Sequence, residues 1–122
     1  MLFTEVPFAE RIAAAAKAGF LAVECQFPYE VPARDLRKRL DDTGLIMTGI
    51  NAPPGGAGEF GFAALPARRK AFRESLAHAL EYAHALDVKN VHCLSGVLNG
   101  VPRADARACF LDNMAFACEE AE

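Results

Sequence analysis

Leu45-Ile46-Met47-Thr48-Gly49-Ile50-Asn51-Ala52-Pro53-Pro54-Gly55 is the stretch that decides how the rest of the chain is read. Apolar and β-branched residues lead in, Asn51 stands where a strand should end, and two prolines forbid further ladder pairing. This is a short buried strand that runs into a stiffened polar loop. The plan recurs on either side. Leu21-Ala22-Val23-Glu24-Cys25-Gln26 runs into Phe27-Pro28-Tyr29, and Asn90-Val91-His92-Cys93-Leu94 runs into Ser95-Gly96. A strand, a polar Pro/Gly loop and then a helix is the unit from which α/β enzymes build their active faces.

Four helices are expected around these strands, each opening near a proline: Pro7, Pro32, Pro66 and Pro102. Proline suits a first helical turn, where its missing N–H would have no intrahelical partner. Helix one, about 7–18, carries Phe8, Ile12 and Ala15 on one stripe, and Gly19 caps it. Helix two, about 33–43, turns Leu36 and Leu40 inward, leaves Arg34, Arg37 and Lys38 to water, and ends at Gly44. Helix three, about 66–86, repeats Phe72, Leu76, Leu80 and Ala83 at helical spacing. Helix four, about 103–121, is expected to bury Ala104, Ala108, Leu111, Ala115 and Cys118. Strands alternating with helices imply a parallel sheet with right-handed crossovers.

The 122 residues suit one domain over residues 1–122, and 52% hydrophobic with 24% charged is an ordinary globular composition. A net charge of −3 gives no electrostatic reason to expect nucleic acid or an anionic membrane. No apolar run approaches the roughly 18 residues that span a bilayer, and no basic segment precedes an apolar core at the N-terminus. A cytoplasmic location is therefore expected. Cys25, Cys93, Cys109 and Cys118 form no C-x-x-C pair and read as buried thiols, not zinc ligands.

Two features are unusual for a self-contained domain: the chain opens on a helix, and it stops inside helix four at Glu119-Glu120-Ala121-Glu122. Three parallel strands leave two open edges, and a closed barrel of eight strand–helix units needs about 250 residues. The expectation is α/β, a partial TIM (β/α)8 barrel with about three parallel strands and four helices, and a chain that is a fragment.

Side chains alternate across a strand, so parity sorts the polar groups by face. Leu21, Val23 and Cys25 should meet the helices, leaving Ala22, Glu24 and Gln26 opposite. Val91 and Cys93 should also face the helices, leaving Asn90, His92 and Leu94 opposite. In the middle strand, Gly49 and Asn51 are expected to share a face with Met47. Glu24, Asn51 and His92 are thereby expected on the non-helix side, near the strand ends where parallel α/β folds place their sites. A carboxylate in a buried strand is costly unless paired or functional, which draws attention to Glu24. Asn51 has a blander use in bonding the turn that follows it. His78 and His84, six apart on helix three, read as surface or packing residues.

Gly56-Ala57-Gly58-Glu59-Phe60-Gly61 matches G-x-G-x-x-G, but a dinucleotide fingerprint must leave its strand at once and open a helix. Pro53-Pro54 intervene, and the next helix waits until Pro66. The stretch reads instead as a mobile loop over a barrel mouth. Ser95 before Gly96 lacks the G-x-S-x-G turn and has no evident base.

Several blocks together resemble the hydroxypyruvate isomerase family of xylose-isomerase-like TIM barrels. They are Met1-Leu2-Phe3-Thr4-Glu5-Val6-Pro7-Phe8, Val23 to Tyr29, Asn51 to Gly55, Leu80-Glu81-Tyr82-Ala83 and His92-Cys93-Leu94-Ser95-Gly96. The resemblance implies interconversion of hydroxypyruvate and tartronate semialdehyde through an enediolate, with 2-oxo-tetronate as an alternative substrate. It implies a small 2-oxo or hydroxy acid as partner and a divalent metal, Mg or Mn, whose ligands lie on strands this sequence does not reach. The same holds for the acid–base glutamates, so no catalytic or metal-binding residue is assigned. His92, Asn51, Glu24, Phe27 and Pro28 are the implied substrate-binding set, the last two as apolar wall. The alternative is a non-catalytic half-barrel that forms a homo-oligomer through its open sheet edges or pairs with a separate C-terminal half.

Overall fold

The computed structural model describes residues 2–122. The chain forms two compact units. The first comprises the residues up to Ile50 together with Glu81–Val91, and the second Asn51–Leu80 with His92–Glu122.

In the first unit, a single 3-10 turn (Phe8–Glu10) leads into helix α1 (Arg11–Lys17). Strand β1 (Ala22–Cys25), helix α2 (Ala33–Thr43) and strand β2 (Ile46–Asn51) follow. Gly44 ends α2 at φ 71°, a left-handed cap that glycine adopts without steric cost. A second 3-10 turn (Pro66–Arg68) opens helix α3 (Arg69–Leu86), which runs from the second unit back into the first. Strand β3 (Val91–His92) and helix α4 (Arg103–Ala121) complete the chain. The sheet is parallel, in the order β1-β2-β3. Helices and strands thus alternate as the sequence periodicity predicts, and the fold is that of a partial TIM barrel.

Each unit has its own core. The first is built on Ile12, Leu36, Leu40, Leu45, Met47, Ile50 and Leu86, with Val23, Cys25 and Val91 packed against it. The second centres on Phe62, Ala63, Phe72 and Leu76, with Cys93, Phe110 and Met114 against it. Val23, Cys25, Val91 and Cys93 therefore take the helix side of their strands, as parity requires.

Four expectations are corrected. Leu21 does not join the helix-facing set; it lies before β1 and stays 84% exposed. Met47 does not share a face with Gly49 and Asn51. Val23 pairs with Met47 but Glu24 pairs with Gly49, so Thr48 is an extra residue, a β-bulge. The bulge resets the alternation. Met47 and Ile50 both reach the core, while Gly49 and Asn51 keep the opposite face. Thr48 secures the irregularity by donating its hydroxyl to the Val23 carbonyl at 3.2 Å.

The third correction concerns α4. Ala104, Ala108, Leu111, Ala115 and Cys118 are all exposed, and the buried residues are Ala106, Cys109 and Asn113. Cys118 is accordingly not a buried thiol, whereas Cys109 is. The fourth is smaller: Arg37 is not left to water, because its Nη1 donates to the Leu86 carbonyl at 3.0 Å.

Candidate substrate-binding site at the strand ends

Within the first unit, Glu24 sits on the face of β1 opposite the core, beside Gly49. A Cβ on Gly49 would lie 3.5 Å from the Glu24 Cγ, so the carboxylate arm rests against bare backbone. Glu24 is exposed, which corrects the premise of a costly carboxylate in a buried strand. Phe27 is half-buried. Pro28 is among the fully buried side chains, with less than 2% of its surface left, so it packs the turn and has no face to offer a ligand. Its carbonyl accepts from Val31 N at 3.3 Å, and Tyr82 Oη closes the same turn on the Val31 carbonyl at 3.1 Å. Burial pushes the Cys25 thiol up, against smaller lowering effects from the Phe27 backbone and Arg11, and its side chain packs against the first core.

The second unit begins with Asn51 and resumes with His92. Ile50 N donates to the Asn90 carbonyl at 3.1 Å and Ala52 N to the His92 carbonyl at 2.9 Å. In a parallel ladder, donors two residues apart that flank residue 51 bring Asn51 alongside His92, with both side chains on the non-helix face. Asn51 is 7% exposed and His92 is exposed. A buried amide beside an accessible imidazole gives two hydrogen-bonding groups, one fixed and one wet, at the C-terminal ends of adjacent strands.

The glycine-rich segment that follows Asn51 in sequence, expected from composition to be mobile, is tied at both ends by hydrogen bonds. Gly61 N donates to the Pro54 carbonyl at 2.8 Å, Phe62 N and Ala63 N both donate to the Leu94 carbonyl at 3.1 Å, and Gly96 N donates to the Phe60 carbonyl at 2.9 Å. Gly61 and Ser95 form an antiparallel bridge, and β3 is two residues long where five were expected. Gly61 has φ 89°, and any Cβ there would be driven into the Leu94 carbonyl. Only glycine fits so close an approach. Glu59 braces the turn by accepting from Gly56 N at 2.7 Å and pairing with Arg68, whose guanidinium lies 4.4 Å over the Phe62 ring. Those bonds, Arg68 first, hold the Glu59 carboxyl below its usual range.

Two positioning groups escape a reading based on apolar stripes. Ser75 Oγ donates to the Pro53 carbonyl at 2.8 Å, and Asn113 Nδ2 donates to the Ala63 carbonyl at 2.9 Å. Both are buried polar residues on helices. Their sequence signal is a polar side chain in phase with buried neighbours, Ser75 three after Phe72 and Asn113 four after Cys109.

A cation needs converging donors, and among the described residues no three His, Cys, Asp or Glu side chains come together. Among the described residues, the groups present do not fit a divalent metal.

The family model described as xylose isomerase-like TIM barrel matches residues 12–122, and the chain belongs to that family. It is 46% identical to the 2-oxo-tetronate isomerase of Cupriavidus necator, over 99% of this chain and 48% of that protein. It is 38% identical to the hydroxypyruvate isomerase of Escherichia coli, over 96% of this chain and 46% of that one. A crystal structure titled AP endonuclease, family 2, from Brucella melitensis superposes with a TM-score of 0.94 at 40% identity, covering 98% of this chain and 47% of that chain. The chain spans about half the length of the curated relatives it matches, and corresponds to their N-terminal half. No helix among the described residues is long and apolar enough to cross a membrane.

Proposed function

We propose that this chain supplies one wall of an isomerase site for a small 2-oxo or hydroxy acid. The reaction is hydroxypyruvate to tartronate semialdehyde, with 2-oxo-tetronate as the longer alternative. The observation that carries the reading is Asn51 in register with His92 at the C-terminal strand ends of a chain 38–46% identical to proteins named for these isomerisations. The Asn51 amide can donate to a substrate carbonyl or accept from its hydroxyl without moving, because it is buried and its strand is held on both sides. The exposed His92 imidazole can follow the adjacent oxygen as charge develops there. Glu24, as a polar contact, and Phe27, as apolar surface, are candidate substrate-binding residues of the first unit taken by itself. Pro28 supports the turn beneath them.

Moving a proton between neighbouring carbons needs a positioned acid and base, and neither role is given to a residue of this chain. The Mg or Mn ion that the family implies finds no donor set among the described residues, and none of the roles above runs through it.

The test is an NMR titration of the imidazoles with hydroxypyruvate. The chain has three histidines, so His78 and His84 on α3 serve as internal controls. His92 resonances shift, and those of His78 and His84 do not. If all three move alike, or His92 stays still at millimolar acid, the site is elsewhere. Incubated with hydroxypyruvate and Mg²⁺ or Mn²⁺, the chain alone gives no turnover, and product formation would show that it carries its own acid–base pair.

A further inference from the structure

Ser75 puts a hydroxyl on the buried face of α3, in phase with Phe72, Leu76 and Ala79, all of them buried. Alanine, as at Ala79, brings no polar atom to such a face, whereas a hydroxyl there is costly without a partner. The bond it makes leaves the helix: Ser75 Oγ donates to the Pro53 carbonyl, 22 positions away, at 2.8 Å.

The segment that receives this bond is short of donors and of freedom. Pro53 and Pro54 bring two carbonyls and no N–H, so the segment holds acceptors that it cannot satisfy itself. The Pro54 carbonyl accepts from Gly61 N at 2.8 Å, and the Pro53 carbonyl accepts from Ser75. Each proline fixes its own φ near roughly −65° and confines the residue before it, here Ala52 and Pro53. Ala52 is held again by its N–H, which donates to the His92 carbonyl at 2.9 Å. Few torsions are left between the helix anchor and Asn51, two residues upstream of Pro53. A shift at the Pro53 carbonyl is therefore passed to Asn51 and not absorbed by the loop.

We propose that Ser75 is a positioning residue: through the Pro53 carbonyl it holds the Asn51 amide in the orientation that meets a 2-oxo acid. A side-chain amide presents a donor on one side and an acceptor on the other, so its use to a ligand depends on how its backbone is held. The role rests on the reading of Asn51 as a substrate contact, and Asn51, Pro53, Ser75 and His92 all belong to the second unit.

The test is NMR on the full chain labelled with nitrogen-15. The side-chain amide of Asn51 is compared with that of Asn113, which is tied to the Ala63 carbonyl from α4 and serves as control. In Ser75→Ala the Asn51 amide signals shift and broaden, those of Asn113 stay, and hydroxypyruvate binds about fivefold or more weakly. Ser75→Thr keeps the donor and behaves as the parent, while Ser75→Val, of the same shape without a hydroxyl, repeats Ser75→Ala. That pair carries the test if Ser75→Ala does not fold. The proposal is overturned by folded Ala and Val variants whose Asn51 signals and affinity match the parent. It is equally overturned by a Thr variant that loses as much as Val, or by Asn113 signals that move as far as those of Asn51. If the parent binds no hydroxypyruvate, the reading of the site fails, and the Asn51 signals of the variants still decide whether Ser75 holds the amide.

Discussion

Helical periodicity assigns α2 and α4 a buried face on the same grounds, and only α2 has the face expected of it. In α2, Arg34, Asp35, Arg37, Lys38, Asp41 and Asp42 occupy the positions around Leu36 and Leu40, and both leucines are fully buried. Charged groups pay heavily for burial, so they select the phase of the helix by exclusion. In α4, Ala104, Ala108 and Ala115 lie on one side of the helix and Ala106 and Ala117 on the opposite side. Alanine is indifferent to exposure, so several stripes satisfy the same period. The expected one, through Leu111, faces water at 49% exposure, and the real one runs through Cys109 and the amide of Asn113. A helical period finds a buried face only where polar residues veto the others.

Three substitutions sharpen that contrast, measured by urea unfolding. Leu40→Ala in α2 removes a fully buried side chain and costs about 2–5 kcal/mol. A cost under 1 kcal/mol would mean that the first core is loose. Asn113→Ala in α4 deletes the stronger of two donors to the Ala63 carbonyl, a residue with no exposed surface, and leaves that acceptor only the Cys109 thiol at 3.8 Å, at a cost of about 1–3 kcal/mol. A neutral result would mean that the thiol or a water satisfies that carbonyl. Leu111→Ser, on the stripe first expected to be core, changes stability by no more than about 0.5 kcal/mol. A loss comparable to Leu40→Ala would return Leu111 to the interior and break the comparison.

The strand ends show the same division on a smaller scale. Asn51 was legible because Pro53 and Pro54 stop the ladder just beyond it, and His92 because Val91 and Cys93 fix its parity. The phase of β2 was not. Thr48 is an unremarkable strand residue, and only its pairing shows that it is the inserted one, which sends Met47 inward. Parity puts Glu24 on the face of β1 that it occupies, but its exposure is not encoded there, since burial depends on what lies over a face and not on the residues within the strand. Composition alone suggests a mobile glycine-rich segment. Its anchors are distant in sequence: Leu94 lies 32 and 31 positions from Phe62 and Ala63, Asn113 lies 50 from Ala63, and Ser75 lies 22 from Pro53.

The order of strands and helices, the extent of α2 and α4, and the positions of the strand-ending polar residues follow from local chemistry: proline and glycine limit backbone angles, and charge opposes burial. The bulge at Thr48, the buried face of α4 and the tethering of the loop needed the tertiary structure. Each depends on a hydrogen-bond or packing partner distant in sequence, and no local pattern encodes which of several equivalent partners will be met.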